Sequence, residues 1–202
     1  MAEGTTLYEG QALPVGSKGR LSSGWWSMWT VIGTEAALFA YLLFSYFYVG
    51  AQIVGKWPPG GPPKLTLAVI GTLLLALGSL TMWWGERGVR AGRRGALLFG
   101  LGSSVLLGTG FIALELLEWS RKAYSITSDV YGSLYFTVTG FHLLHVAIGV
   151  VMLAMLFVWT LLGYFGQRRH SAVSIAVMYW HFVGAVWVAV FLTFYVTPYL
   201  AR

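Results

Sequence analysis

Five apolar stretches, at about residues 26–49, 65–84, 95–117, 132–161 and 174–199, dominate the chain. A hydrocarbon core of roughly 30 Å takes about 20 apolar residues as helix, and within it every backbone polar group must be satisfied inside its own segment. Each stretch therefore predicts one transmembrane helix, and together they predict an all-α, polytopic bundle of five. Pro198 is the one proline inside a stretch, in the final turn, where it is expected to end the last helix. Composition agrees, since 57% of residues are hydrophobic and 10% are charged, against about a quarter charged in a soluble domain. Residues 1–24 hold no apolar run, so they read as an N-terminal cytoplasmic tail rather than a cleaved signal peptide. Residues 25–202 then form one transmembrane domain.

Charge sets the expected orientation. Lys18, Arg20, Arg87, Arg90, Arg93, Arg94, Arg168 and Arg169 fall on one side of the membrane, and Lys56, Lys64, Arg121, Lys122 and Arg202 on the other. By the positive-inside rule this places the N-terminus inside and the C-terminus outside. The net charge of +6 would raise nucleic acid as a partner in a soluble protein, but here the cations lie between apolar stretches, and no nucleic acid is expected. The run from Trp57 to Pro63, with four prolines and two glycines, cannot be helical and reads as a stiff interfacial loop. The chain has no cysteine, which excludes disulfides, thiolate metal sites and covalent haem attachment. Gly71, Gly78, Gly100, Gly102 and Gly108 read as helix-packing surfaces.

Ionisable side chains inside the spans are few, and each costs about 2.5–3.5 kcal/mol at mid-bilayer on insertion scales, so each needs a partner or a purpose. Glu35 lies near the middle of the first span, where either an interhelical hydrogen bond or proton handling would account for it. His142 and His145 stand three apart on one face of the fourth span, and His181 lies in the fifth. Imidazole is the commonest metal ligand, yet helix rise separates His145 and His181 by about 7 Å in depth, which favours packing hydrogen bonds over a metal or haem site. Glu115 and Glu118 fall at the end of the third span beside Trp119, Arg121 and Lys122, as a solvated or salt-bridged helix end would. No nucleophile triad or phosphate loop is visible.

Four runs, in order along about 165 residues, carry a resemblance. They are Gly33-Thr34-Glu35 followed by Trp57-Pro58-Pro59-x-Gly61; Glu118-Trp119 before Ser128-Asp129-Val130-Tyr131-Gly132-Ser133; Phe136 with Thr139-Gly140-Phe141-His142-x-x-His145-Val146; and Tyr179-Trp180-His181-Phe182-Val183 with Trp187. Together they resemble the signature segments of cytochrome c oxidase subunit III of the haem-copper terminal oxidases, in a short form equivalent to that family's five C-terminal helices. Two positions depart from the pattern. Glu115 stands where the family usually has Gln, and Gly184 where it usually has Asp, so nothing ascribed to that Asp carries over.

The resemblance implies a subunit of a proton-pumping respiratory oxidase that reduces O2 to water, with no catalytic centre of its own. It implies haems and copper in partner subunits and none in this chain, direct packing on oxidase subunit I with subunit II in the same complex, bound phospholipid, and support of proton uptake and stability. It also implies a bacterial-type cytoplasmic membrane. Glu35, Glu118, His142, His145 and His181 would be its buried polar residues, and Trp57, Pro58, Pro59, Tyr131, Gly132, Tyr179 and Trp180 its motif positions. Glu35 is expected to hydrogen-bond a histidine of the fourth span, with His145 favoured by depth. The equivalent subunit of a quinol oxidase or nitric oxide reductase is the nearest alternative, ahead of a stand-alone proton-coupled carrier or a haem-bearing membrane anchor.

Overall fold

The computed structural model describes residues 23–167 and 170–200. The tail at 1–22 lies outside the described residues, as do Lys18, Arg20, Arg168, Arg169 and Arg202 of the orientation argument. Five long helices form the fold: α1 (Ser23–Gln52), α2 (Thr66–Arg90), α3 (Arg94–Ser120), α4 (Val130–Leu161) and α5 (Ser171–Phe191). A π-helical turn, Leu192–Val196, and a short α6 (Thr197–Leu200) continue α5, and all five segments are long and apolar enough to cross a membrane. The chain is thus a multi-pass membrane protein. The connections 53–65 and 121–129, with the end of α6, form one end of the bundle, here the proline-loop end. The α2–α3 turn and the α4–α5 connection form the other, the arginine end.

Helices in lipid gain little from apolar contact, so polar and small residues mark the faces that pack. In α4 the buried series Tyr135, Val138, Thr139, His142, His145, Val146, Gly149 and Leu153 follows helical spacing, while Phe141, Leu144, Ile148, Val151, Met155 and Val158 stay exposed on the lipid-facing side. Small residues set the α2–α3 hairpin. A methyl group added at Gly100 would lie 2.7 Å from the Thr81 carbonyl oxygen and 2.9 Å from the Gly85 Cα, so the two backbones touch there. Ser104 Oγ crosses the seam to donate to the Gly78 carbonyl at 2.8 Å. The hairpin turns through Gly92, whose φ of +77° favours glycine. Helix α1 packs mainly on α4 and α5 and buries only Phe39 and Tyr46.

The helices outrun the apolar stretches. Arg87 stacks on the Trp83 ring at 3.7 Å and Arg90 pairs with Glu86 at 2.6 Å, which lets α2 keep its helical hydrogen bonds six residues past Trp84. Pro198 corrects a second expectation, because the helix widens before the proline instead of ending at it. The Thr197 N–H bonds to the Leu192 carbonyl, five residues back, and Thr197 Oγ1 donates to the Thr193 carbonyl at 2.6 Å. Widening of this kind makes room for a ring that would clash with the preceding turn and lacks its own donor.

Candidate functional site

Two polar clusters lie inside the bundle. The first joins α1 to α4. Glu35 sits twelve residues into α1, roughly 18 Å along its axis at 1.5 Å per residue. Its Oε2 lies 3.0 Å from His145 Nε2, so the expected pairing is present, with His145 as the partner. His145 Nδ1 lies 2.6 Å from the Phe141 carbonyl, which can only accept, so Nδ1 carries a hydrogen. A single proton then bridges Nε2 and Oε2, either on the carboxyl group or on an imidazolium facing a carboxylate. Phe39 of α1 packs edge-on against the imidazole at 5.2 Å, and Tyr179 of α5 donates to the His145 carbonyl at 3.2 Å, which adds one further helix to the contact.

His142 occupies the next turn of the same face and points elsewhere. It is buried, with Nε2 donating to the Val183 carbonyl of α5 at 3.2 Å, and its ring lies 5.0 Å from that of Trp187. Trp187 in turn donates to Thr72 of α2 at 2.9 Å. Nδ1 of His142 finds no partner among the described residues. His181 is not with the other two. It is half-buried near Glu86 towards the arginine end, so of the expected buried polar residues His181 and Glu35, whose side chain is 30% exposed, are only partly covered. Helical rise and the direction of its face separate it from His145, and no group able to hold a metal ion forms among the described residues.

The second cluster lies at the proline-loop end. Glu118 is only 6% exposed and Glu115 only 4%, so these are interior carboxyls rather than a solvated helix end, although the ion pair expected there does form. Lys122 Nζ donates to Glu118 Oε1 at 2.8 Å, and Tyr195 donates to the same oxygen at 2.7 Å. Tyr135 lies 3.3 Å from that oxygen and 2.9 Å from the Tyr195 hydroxyl. The Lys122 ammonium also sits over the rings of Tyr135 and Tyr195, at 4.6 and 5.6 Å. Glu118 therefore gathers α3, α4 and α5 around one buried charge. Glu115 accepts from Trp119 at 3.1 Å.

Trp57, Pro58 and Pro59 lie above this cluster, with the Trp57 ring 5.3 Å from Tyr131 and 5.5 Å from Tyr46. Gly132 donates its N–H to Asp129 Oδ1 at 2.6 Å, the N-cap of α4, and its Cα lies so close to the Ser125 carbonyl that a methyl group would overlap it. Tyr179 and Trp180 pack on Gly149, where a methyl would come within 2.9 Å of the Trp180 ring. Sequence reasoning missed Tyr135 and Tyr195. Tyr131 and Tyr135 stand one helical turn apart at the start of α4, and that spacing was the available signal.

The α1–α4 pairing sets a measurable expectation. Glu35→Ala should lower the thermal midpoint of the detergent-solubilised protein by a few degrees, consistent with about 1 kcal/mol for an interhelical hydrogen bond in a membrane protein. Glu35→Gln should keep most of it. Gly33→Ala, two residues earlier, should cost nothing, because no described residue lies within 4 Å of the added methyl. Equal midpoints for Glu35→Ala and Gly33→Ala would remove the pair from the account of helix association.

The family model of cytochrome c oxidase subunit III matches residues 10–199. Cytochrome c oxidase subunit 3 of Gallus gallus is 29% identical, over 94% of this chain and 74% of its own length. The Homo sapiens protein of that name shows the same identity and coverage. That of Locusta migratoria is 30% identical over 84% of this chain and 67% of its own.

Proposed function

Because the chain belongs to the cytochrome c oxidase subunit III family, we propose that it serves as the non-catalytic subunit III of a respiratory haem-copper oxidase that reduces O2 to water and pumps protons. In this reading it packs directly on subunit I, with subunit II in the same complex. The haems and copper reside in those partners. The chain binds phospholipid and supports proton uptake and the stability of the working complex, in a bacterial-type cytoplasmic membrane with its N-terminus inside.

One observation carries the reading. The four signature runs, dispersed over the sequence, meet one another in space: Glu35 on His145, Trp57 on Tyr131, Trp119 on Phe136, and His142 against Val183 and Trp187. Glu35, Glu118, His142 and His145 all bond within the bundle, as in a scaffold, while Trp57 Nε1, His142 Nδ1 and Trp180 Nε1 find no partner among the described residues. The surface of α1 supports a partner: no described residue comes within 4 Å of a methyl group at Gly33, and Trp29, Tyr41, Phe44 and Tyr48 are exposed. Gly184 leaves no carboxylate in α5 at the position beside Ser79 of α2, so no proton role rests there.

The test is to prepare the oxidase from cells with and without this chain. Without it, the enzyme should keep its haem spectrum and initial rate of O2 consumption but inactivate sooner during turnover. Loss of a haem band with the chain would overturn the assignment of the cofactors to partners.

A further inference from the structure

A cavity of about 600 Å³ opens at the proline-loop end, between the 53–65 connection and the ends of α2 and α3. Small-ligand sites have this size, which suits a short chain segment and excludes a folded domain. Its charges are unevenly committed. Of the two carboxylates that line it, Glu118 is paired with Lys122 and Asp129 caps α4 through the Gly132 N–H. Lys64 and Arg121 also line it and are exposed, and among the described residues no ion pair engages either. An occupant that complements these groups carries negative charge.

The proline wall adds a second demand. Residues 58–63 line the cavity, and Pro58, Pro59, Pro62 and Pro63 have no N–H to donate. Gly61 spends its N–H on the Pro58 carbonyl at 3.0 Å, which leaves only the Gly60 N–H uncommitted in this wall. Acceptors are plentiful by contrast. Pro63 accepts from Tyr199 at 2.7 Å, but among the described residues nothing donates to the carbonyls of Pro59, Gly60, Gly61 or Pro62. A free oxyanion would bring only further acceptors to this wall. A polypeptide backbone brings an N–H at each non-proline residue, and acidic side chains on it answer Lys64 and Arg121. Main-chain bonding to an extended segment and the reading of acidic motifs by cations are both recurring modes of peptide recognition.

We propose that this cavity docks an extended, acidic segment of another polypeptide, with its carboxylates on Lys64 and Arg121 and its N–H groups on the loop carbonyls between Pro59 and Pro62. The site goes beyond the oxidase assignment and does not depend on where the haems and copper reside, so either can fail without the other.

The experiment treats native membranes holding the full-length, tagged chain with a water-soluble carbodiimide, which joins a lysine amine to a carboxylate in contact with it. Peptide mass spectrometry then maps the products. The expected product is an amide bond between Lys64 Nζ and an Asp or Glu of another polypeptide, in a stretch that holds further acidic residues. Arg121 does not react with the reagent, so Arg121→Gln tests recognition while leaving the nucleophile in place. An exposed ion pair is worth up to roughly a factor of five, so the Lys64 yield should fall by about that much, and Arg121→Lys should restore it. A synthetic peptide of alternating Glu and Ala should compete for the site, and its backbone N-methylated form, which lacks the N–H groups, should compete several-fold less well. Lys64 left unmodified or joined only to its own chain, a yield indifferent to Arg121→Gln, or equal competition by the two peptides would overturn the proposal. Adducts of a diazirine-bearing phospholipid on residues 58–67 would also overturn it and make the occupant a lipid.

Discussion

Glu118→Ala is expected to destabilise the protein by about 3–5 kcal/mol, the usual effect of breaking a buried ion pair and leaving its partner uncompensated. Lys122 is the partner left behind, with its side chain 13% exposed and its ammonium held over Tyr135 and Tyr195. The two tyrosine hydroxyls would lose their acceptor in the same step. Glu118→Gln should cost less, because an amide oxygen still accepts from Tyr195. The double variant Glu118→Leu with Lys122→Met should recover most of the loss, since replacing a whole buried pair with apolar groups of similar size is often neutral. Thermal unfolding followed by tryptophan fluorescence in detergent reads all three. A single-alanine cost below about 1 kcal/mol would mean that water reaches the pair, as at an ordinary surface bridge.

The second large effect belongs to the α2–α3 seam. Gly100→Ala places its methyl group against the Thr81 carbonyl and the Gly85 Cα, which are backbone atoms and cannot turn aside as a side chain would. Overpacking of this kind costs about 1–3 kcal/mol, and it should also lengthen the Ser104–Gly78 hydrogen bond that crosses the seam. Gly95→Ala, in the same helix with open space around its methyl position, is the control and should gain up to about 1 kcal/mol from helix propensity. The same unfolding midpoints decide between them. Equal midpoints would show that the two helices can separate without cost.

The contrast between these glycines shows what the sequence could convey. Five spans were legible because the membrane demands long apolar helices with no unpaired backbone, and that demand acts residue by residue. The Glu35–His145 pairing was legible for a related reason: a carboxyl group at mid-span needs a partner, and depth along the helices left few. Helix ends were less so. Arg87 and Arg90 are polar by type, yet by stacking on Trp83 and pairing with Glu86 they extend α2 beyond its apolar run. Spacing alone read Glu118 as a solvated or salt-bridged helix end, because its buried neighbours, Tyr135 and Tyr195, come from later helices and nothing local announces that they converge. Only the resemblance placed it among the buried polar residues. The π turn before Pro198 is likewise a response of the whole helix to one ring. Which of two glycines touches a backbone, as Gly100 does and Gly95 does not, depends on the helix facing it.

Purification of a tagged chain from its native membrane in mild detergent, with a reduced-minus-oxidised optical spectrum and mass spectrometry of the accompanying subunits, tests the central claim most directly. The account predicts haem a or b bands that travel with a large multi-helix partner, and the chain itself free of any haem once separated from that partner. The presence of a binuclear copper domain among the subunits would then distinguish a cytochrome c oxidase from a quinol oxidase. A colourless chain recovered without a partner would contradict the account.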